Sequence, residues 1–523
     1  MAGSCEGEKP SDHSLDRRTF LRAAVHVTGL GALGVQAGSL HAARPRPSSA
    51  HPGTRPTSAP QALQLTAAPL TRVFNGTSHE AWALNGSLPG PALRFDRGSR
   101  AEIELRNELA EPTILHWHGL DVPEEADGHP RLAIGPGETY RYDFEVVDRS
   151  GLYWYHPHTH ERTGAQTYAG LAGLLIVRDE EEEALPLPSV RAEIPLVLQD
   201  RRTTSGSPFA YRPGMGPDMM VGHLGDTIFA NGEAEPNVHV TRGAHRLRLL
   251  NACNARLLDI GLSNGQPMTL IGSDGGLLES DTQHRRIMIG TAERLDLLVD
   301  FSSLEPGERV TLRSFPFEIN GMMSPDRMRM EMGPGGGSPP GRGRGGMGRG
   351  RMGGEGMSGL PQGADMDMVH FVVTDEPGEE ARPLPSRLST IAALPLGSDT
   401  RRRTFRFDSG MMRHAINGRS FEMGRIDHQI RLGTTEVWRI VNETGLAHPV
   451  HVHAGQFRVL SRTGSRGQVM PWEQGLKDTV MVLPQETVEI AVRFDRFPGV
   501  FLMHCHNLEH EDAGMMMNFQ VLD

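Results

Sequence analysis

Residues 504–516 read HCHNLEHEDAGMM, a cysteine between two histidines followed by a third histidine and two methionines. Thiolate, imidazole and thioether are the groups that bind soft and borderline transition metals, so this stretch has the makeup of a ligand set. It holds one of five His-X-His pairs, at 116/118, 156/158, 158/160, 451/453 and 504/506. The 24 histidines scattered at random over 523 residues would give roughly one such pair. Residues i and i+2 of a β-strand point to the same face, so each pair offers two imidazoles side by side. A lone pair is more often a hydrogen-bonded surface feature. Four separated pairs, in HWHG, YWYHPHTH, HPVHVH and HCH, each beside a strand-like run, are hard to explain without metal.

The same alternation sends Cys505 to one face of its strand and His504 and His506 to the other. On the first face Cys505 could hold a single metal, helped by His510 and Met515 from the following loop and by His448 of HPVHVH. Two histidines, a cysteine and a weak axial methionine are the electron-transfer pattern of blue copper. On the second face His504 and His506 reach another centre a few covalent bonds away, with Cys505 as the wire between the two. A buried cysteine used as packing filler is the ordinary alternative, and it leaves the flanking histidines unexplained.

Ligands this far apart in sequence need a scaffold to gather them. A chain of 523 residues suggests roughly three domains of about 150 residues. Sparse aromatics, plentiful Gly and Pro and no long helical periodicity favour many short strands joined by turns. One unit recurs three times. Asn-Gly turns at 85–86, 231–232 and 417–418 each lead through a Gly to an alternating strand ending at Asn107, Asn251 or Asn442. Farther on come PGETYRYDFEV, TAERLDLLVDF and PQETVEIAVRF, again a turn with an acidic residue and an alternating strand. Period-two alternation between turn signals predicts half-buried strands, hence three related β-sandwiches in series. The middle repeat has no His-X-His pair, so the metal centre is expected between the first and third sandwiches, with the second as spacer or clamp.

The second copy carries an insertion, residues 321–368, with ten of the 25 methionines in about a tenth of the chain. So much Gly and Pro cannot bury a core. A solvated linker is the ordinary reading; soft thioether ligands for Cu(I) are the sharper one. Its Arg-Gly pieces resemble nucleic-acid-binding tails, but the net charge of −11 argues against nucleic acid or an anionic membrane as the main partner. Cys5, Cys253 and Cys505 are too few for a disulfide framework. Arg17 and Arg18, then Phe20, Leu21 and a mildly apolar Gly- and Ala-rich run, resemble the signal of the bacterial twin-arginine translocase. The run is too short and too broken to be a membrane anchor. A periplasmic or secreted protein, off the membrane after processing, is expected.

From about residue 65 to the end, excluding the insertion, the sequence resembles the three-domain multicopper oxidases, the group of laccases and bacterial cuprous oxidases of copper tolerance. The resemblance rests on the four histidine motifs in order. It implies an all-β fold of three cupredoxin-like Greek-key β-sandwich domains in series. The expected boundaries are a signal over 1–43, a linker over 44–64, and sandwiches over 65–180, 190–380 and 385–523. It further implies four copper ions. Carried over by motif, His448, Cys505, His510 and Met515 match the type 1 ligands, and His116 and His451 the type 2 ligands. His118, His156, His158, His453, His504 and His506 match the ligands of the type 3 pair.

The implied reaction is four one-electron oxidations of substrate coupled to reduction of O2 to two waters. Asp127, nine residues after His118, and Glu511, directly after His510, resemble the family's acidic proton relays, though an Asp near a Gly is ordinarily a turn residue. His160 is expected in support of the ligands, and Asp478 either orienting a type 1 histidine or serving as a solvated or structural residue. The axial Met515 favours easily oxidised donors, Cu(I) or electron-rich phenols. The insertion falls where bacterial cuprous oxidases carry theirs, whereas NETGLA before His448 lacks an obvious acidic or Met ligand for a substrate copper, with Glu443 the nearest candidate. The leading expectation is therefore a cuprous oxidase with laccase-like phenol oxidation. The alternatives are a general laccase with the insertion as a lid, and a protein that sequesters copper without turnover. A copper nitrite reductase would not need four pairs.

Overall fold

The computed structural model describes residues 61–204, 206–213, 217–319, 359–410 and 413–523. The expected signal and most of the linker lie outside these residues, as does the insertion from 321 to 358. Among the described residues the chain forms six sheets, two for each repeat. Each pair closes over its own apolar core, around Trp117 in the first sandwich, Phe301 in the second and Trp438 in the third. The all-β expectation is met, and no helix among the described residues is long and apolar enough to cross a membrane.

The landmarks of the repeat do equivalent work three times. Asn85, Asn231 and Asn417 take φ of 53°, 49° and 52°, the left-handed turn conformation Asn tolerates. Each also clasps the first strand of its repeat: Asn85 accepts from Thr66 N, Asn231 from Val197 N and Asn417 from Arg406 N. Asn107, Asn251 and Asn442, at the strand ends, each donate through Nδ2 to loop carbonyls and accept from the backbone two residues on. Buried loop carbonyls need such partners, which is why a polar residue stays fixed there.

The structure departs from two expected limits. The first strand begins at Gln61, inside the expected linker, because Gln61–Leu63 pair in parallel with Ala101–Ile103. The expected insertion ends too late: strand Met366–Pro377 pairs with Arg309–Ser314, and Met366 and Met368 are buried in the core of the second sandwich. Composition hid this, since two alternating methionines look alike whether they face a core or a solvated loop. Residues 360–362 are also fixed, with the carbonyls of Leu360 and Pro361 accepting from Arg256 and Gln362 bonded to Leu257 N and Ala255 O.

Two antiparallel strand pairs position the histidine motifs. In the first sandwich Leu115–His118 pairs with Gly151–Pro157, setting His116 opposite His156. In the third, His448–Val452 pairs with Gly499–Cys505, setting His451 opposite His504 and Val450 opposite Cys505. These pairs face each other across the junction of the first and third sandwiches.

Candidate metal centre

Eight imidazoles, of His116, His118, His156, His158, His451, His453, His504 and His506, meet in one buried space. The nitrogens turned inward approach one another: Nε2 of His116 and His451 at 3.3 Å, Nδ1 of His118 and Nε2 of His156 at 3.3 Å. Nε2 of His504 lies 3.4 Å from Nε2 of His158 and 3.2 Å from Nε2 of His453. His506 has no hydrogen-bond partner on either ring nitrogen; its ring stands 5.0 Å from that of His118 and 5.1 Å from that of His156.

The outward nitrogens fix the tautomers. Nδ1 of His116 donates to Asp127 O at 2.6 Å, Nδ1 of His451 to Asp478 O at 2.8 Å and Nδ1 of His156 to Pro157 O at 2.8 Å. Nδ1 of His453 donates to Asp127 Oδ2 at 2.8 Å, and Nε2 of His118 to Asp478 Oδ1 at 3.0 Å. A neutral imidazole carries one proton, so the inward nitrogens of these five rings are bare lone pairs. Bare nitrogens facing at hydrogen-bond distance repel unless a cation lies between them. The donor set therefore fits metal, and imidazole with no acidic first ligand suits copper. Burial first, and the facing imidazoles second, push His118, His158, His451, His453 and His506 well below the ordinary histidine range; burial does the same for His156, with His116 adding to it. These six stay neutral and ready to ligate at physiological pH.

A second buried pocket lies on the other side of Cys505. Its Sγ is 3.5 Å from Nδ1 of His448 and 3.6 Å from Nδ1 of His510. The far nitrogens are again anchored, Nε2 of His448 at 3.0 Å from Thr444 Oγ1 and Nε2 of His510 donating to Met220 O at 2.8 Å. Burial lowers His448 to about 3 and pushes the Cys505 thiol well above its usual range, so without a cation the thiol keeps its proton. Met515 is buried alongside, its carbonyl accepting from Cys505 N at 3.0 Å.

The other expected residues fall where the sequence could not say. Asp127 is buried, with Oδ1 free of any hydrogen bond. Glu511 is buried with Oε2 3.0 Å from His504 Nδ1 and Oε1 3.6 Å from His158 Nδ1. Asp478 is neither solvated nor beside His448 or His510: it is buried against His118 and His451 in the eight-imidazole space. His160 supports no ligand; its side chain is 39% exposed and its ring edge meets Phe421. Glu443 points away to a surface pair with Arg406.

Five contributors had no readable signal. Thr444 and the carbonyls of Met219 and Met220 anchor imidazoles by position alone. Trp154 stacks on His156 at 4.2 Å. His414 stacks on His510 at 4.3 Å and 22° and donates to Met219 O, covering the type 1-like pocket together with helix Pro217–Val221.

Comparison with known proteins agrees with this geometry. Family models described as multicopper oxidase match residues 67–182 and 396–523. A multicopper oxidase of Staphylococcus aureus is 30% identical over 458 residues, covering 86% of each chain. A cell division protein FtsP of Yersinia pestis is 31% identical over 514 residues, covering 96% of this chain and 97% of its own. The crystal structure of a laccase from Pediococcus acidilactici superposes with a TM-score of 0.74 at 32% identity, covering 91% of this chain and 95% of that one.

Proposed function

The chain belongs to the multicopper oxidases, and from that premise we propose an exported oxidase that couples four one-electron oxidations to reduction of O2 to two waters, with Cu(I) as its donor in copper tolerance. In this reading His448, Cys505, His510 and Met515 hold a type 1 copper. His116 and His451 hold a type 2 copper, and His118, His156, His158, His453, His504 and His506 a type 3 pair. Bound copper would supply the one-electron acceptor and the stored electrons that O2 needs together. The observation that carries the assignment is the set of bare inward nitrogens, which leaves room for nothing but cations between facing rings.

The residues of the chain divide the remaining tasks. Cys505 lines one pocket with Sγ, and the peptide units on either side lead to His504 and His506 in the other, a short covalent path for electrons. Reduction of O2 also consumes four protons. Besides Asp478, which Arg294 holds, Asp127 and Glu511 are buried carboxyls beside that pocket, Asp127 next to His453 and Glu511 next to His504. Asp127 can hand a proton inward while keeping His453 oriented; Glu511 lies 3.0 Å from His504 Nδ1 with both oxygens free of hydrogen bonds, and Cys505 O orients that ring.

The choice of donor is supported by the cover over His510. Its ring is buried, its Nε2 edge is occupied by Met220 O, and His414 lies flat against it. A bulky phenol has no direct contact with this ring, whereas a single ion needs only a small opening. The Met-rich insertion, most of which lies outside the described residues, supplies thioethers suited to Cu(I). A general laccase with the insertion as a lid is the second reading, favoured by relatives that carry that name.

Oxygen uptake by the copper-loaded protein, with Cu(I) or a methoxyphenol as donor, separates the two. The deletion must stop at residue 358, because residues 360–368 belong to the second sandwich. Phe317 N donates to Gly363 O at 3.2 Å, so a short bridge can rejoin the ends. Loss of Cu(I) oxidation on deletion supports the cuprous oxidase; unchanged Cu(I) rates with higher phenol rates would give the laccase.

A further inference from the structure

The second sandwich brings no ligand to the site, yet one of its side chains reaches it. Arg294, in strand Arg294–Asp300, is fully buried where all three sandwiches meet. Its guanidinium has five N–H groups, and each finds an acceptor. Nε donates to Leu152 O of the first sandwich at 3.0 Å. One N–H of each terminal nitrogen stays in the second sandwich, Nη1 to Ala292 O at 2.9 Å and Nη2 to Asp274 O at 3.0 Å. The remaining two grip the carboxylate of Asp478 in the third sandwich, Nη1 to Oδ1 at 2.7 Å and Nη2 to Oδ2.

Asp478 passes this grip to the metal pocket. Oδ1 takes the proton on Nε2 of His118 at 3.0 Å, and Thr479 Oγ1 supports the same nitrogen at 3.1 Å. The main-chain oxygen of Asp478 takes the proton on Nδ1 of His451. One residue thus sets the tautomers of two rings that stack on each other at 3.7 Å. The first sandwich leaves space for the pair. Gly119 follows His118 at φ +91°, and a Cβ there would come within 2.5 Å of Asp478 Oδ2 and 2.8 Å of Arg294 Nη2.

We propose that Arg294 is a positioning residue of the metal pocket: by forking onto Asp478 it fixes the carboxylate that turns Nδ1 of His118 inward, and so makes metal binding depend on the docked second sandwich. The inference rests on the copper reading above. Without the fork, only Thr479 Oγ1 and His118 itself hold the Asp478 carboxylate, so it can turn aside and leave His118 to carry its proton on either nitrogen. A lysine keeps the charge but not the planar two-pronged geometry, so charge alone does not restore the arrangement.

The test compares Arg294→Lys and Arg294→Met with Arg246→Met. Arg246 is another buried arginine of the second sandwich, paired with Glu182 and Asp296 and touching no pocket imidazole. Copper content after dialysis against a chelator, electron paramagnetic resonance and thermal melting are read on the full chain. Both Arg294 variants are expected to retain copper in the eight-imidazole pocket about 10–100-fold more weakly. Their blue type 1 absorption stays, because no atom of Arg294 contacts that pocket. Arg246→Met is expected to melt lower and keep the wild-type copper content and resonance. Should Arg294→Met fail to fold, Arg294→Lys, which keeps the positive charge, still reads the effect of the fork. Full copper retention and an unchanged resonance in Arg294→Lys would overturn the proposal, as would equal copper loss in Arg246→Met. A wild-type protein that binds no copper would instead remove the reading on which the proposal stands.

Discussion

His448 and His510 face each other Nδ1 to Nδ1 at 3.2 Å, with Cys505 Sγ closing the triangle. Their Nε2 atoms are occupied by Thr444 and Met220, so the two Nδ1 atoms are both bare. The triangle is built by the third sandwich and backed by a five-residue helix of the second.

Replacing the sulfur tests it. Cys505→Ser keeps the volume and removes the thiolate donor. It is expected to abolish the blue absorption and lower O2 turnover at least about 100-fold, while the eight-imidazole pocket keeps its copper. Because burial raises the thiol so far, loading this pocket must also displace a proton. Proton release on adding copper to the wild type, and its reduction in the variant, can be followed with a pH indicator. A protein that only sequesters copper would keep its function in Cys505→Ser.

Asp127→Asn separates orientation from proton supply. An amide oxygen can still accept from His453 Nδ1, so the pocket keeps its shape and copper. Turnover is expected to fall by about 10²–10⁴-fold, measured as O2 uptake per bound copper. Unchanged turnover would remove Asp127 from proton delivery.

The copper-free protein should be acid-sensitive. Burial, reinforced by neighbouring imidazoles, lowers eight histidines, His118, His156, His158, His448, His451, His453, His506 and His510. The unfolded chain takes protons at its ordinary histidine range while these rings stay neutral in the fold. The unfolded state then binds more protons, so stability falls as pH drops below about 6.5, by roughly 1.4 kcal/mol per pH unit for each such ring. Melting at pH 8 and pH 5, without copper, is expected to show a large drop. Copper should raise the melting temperature at both pH values without removing the drop, since bound rings take up no more protons than the neutral free ones.

The methionines near the insertion should split into two groups. Met366 and Met368 are core residues, and Met368→Ala is expected to cost about 2–5 kcal/mol, seen as a lower melting temperature with Cu(I) kinetics otherwise intact. Deleting residues 321–358 should leave the melting temperature near wild type and change only donor kinetics.

His414→Ala uncovers one face of His510. Phenol oxidation is expected to rise relative to Cu(I) oxidation, measured as the ratio of kcat/KM for the two donors. An unchanged ratio would mean that electrons do not reach His510 from this side.

The sequence by itself determined the donor types and the scaffold. His-X-His spacing on strands gives paired imidazoles whatever the rest of the chain does, and period-two alternation between three sets of Asn-Gly turns admits little besides sandwiches. These features are local, within a few residues of each other, and so legible without contacts. Only the tertiary structure decided which nitrogen of each ring faces inward. For His453 and His118 that choice depends on acceptors hundreds of residues away, Asp127 and Asp478; for His116, His156 and His451 the acceptors are carbonyls within 27 residues, placed by the folded loops. The tertiary structure put Asp478 against His118 and His451 rather than beside His448 or His510, set His160 at the surface, and put Met366 and Met368 in a core. It also made the second sandwich part of the site, through an arginine whose neighbours Glu293 and Leu295 give no hint of a metal nearby. Local chemistry chooses the ligands; docking of the three sandwiches chooses their protons.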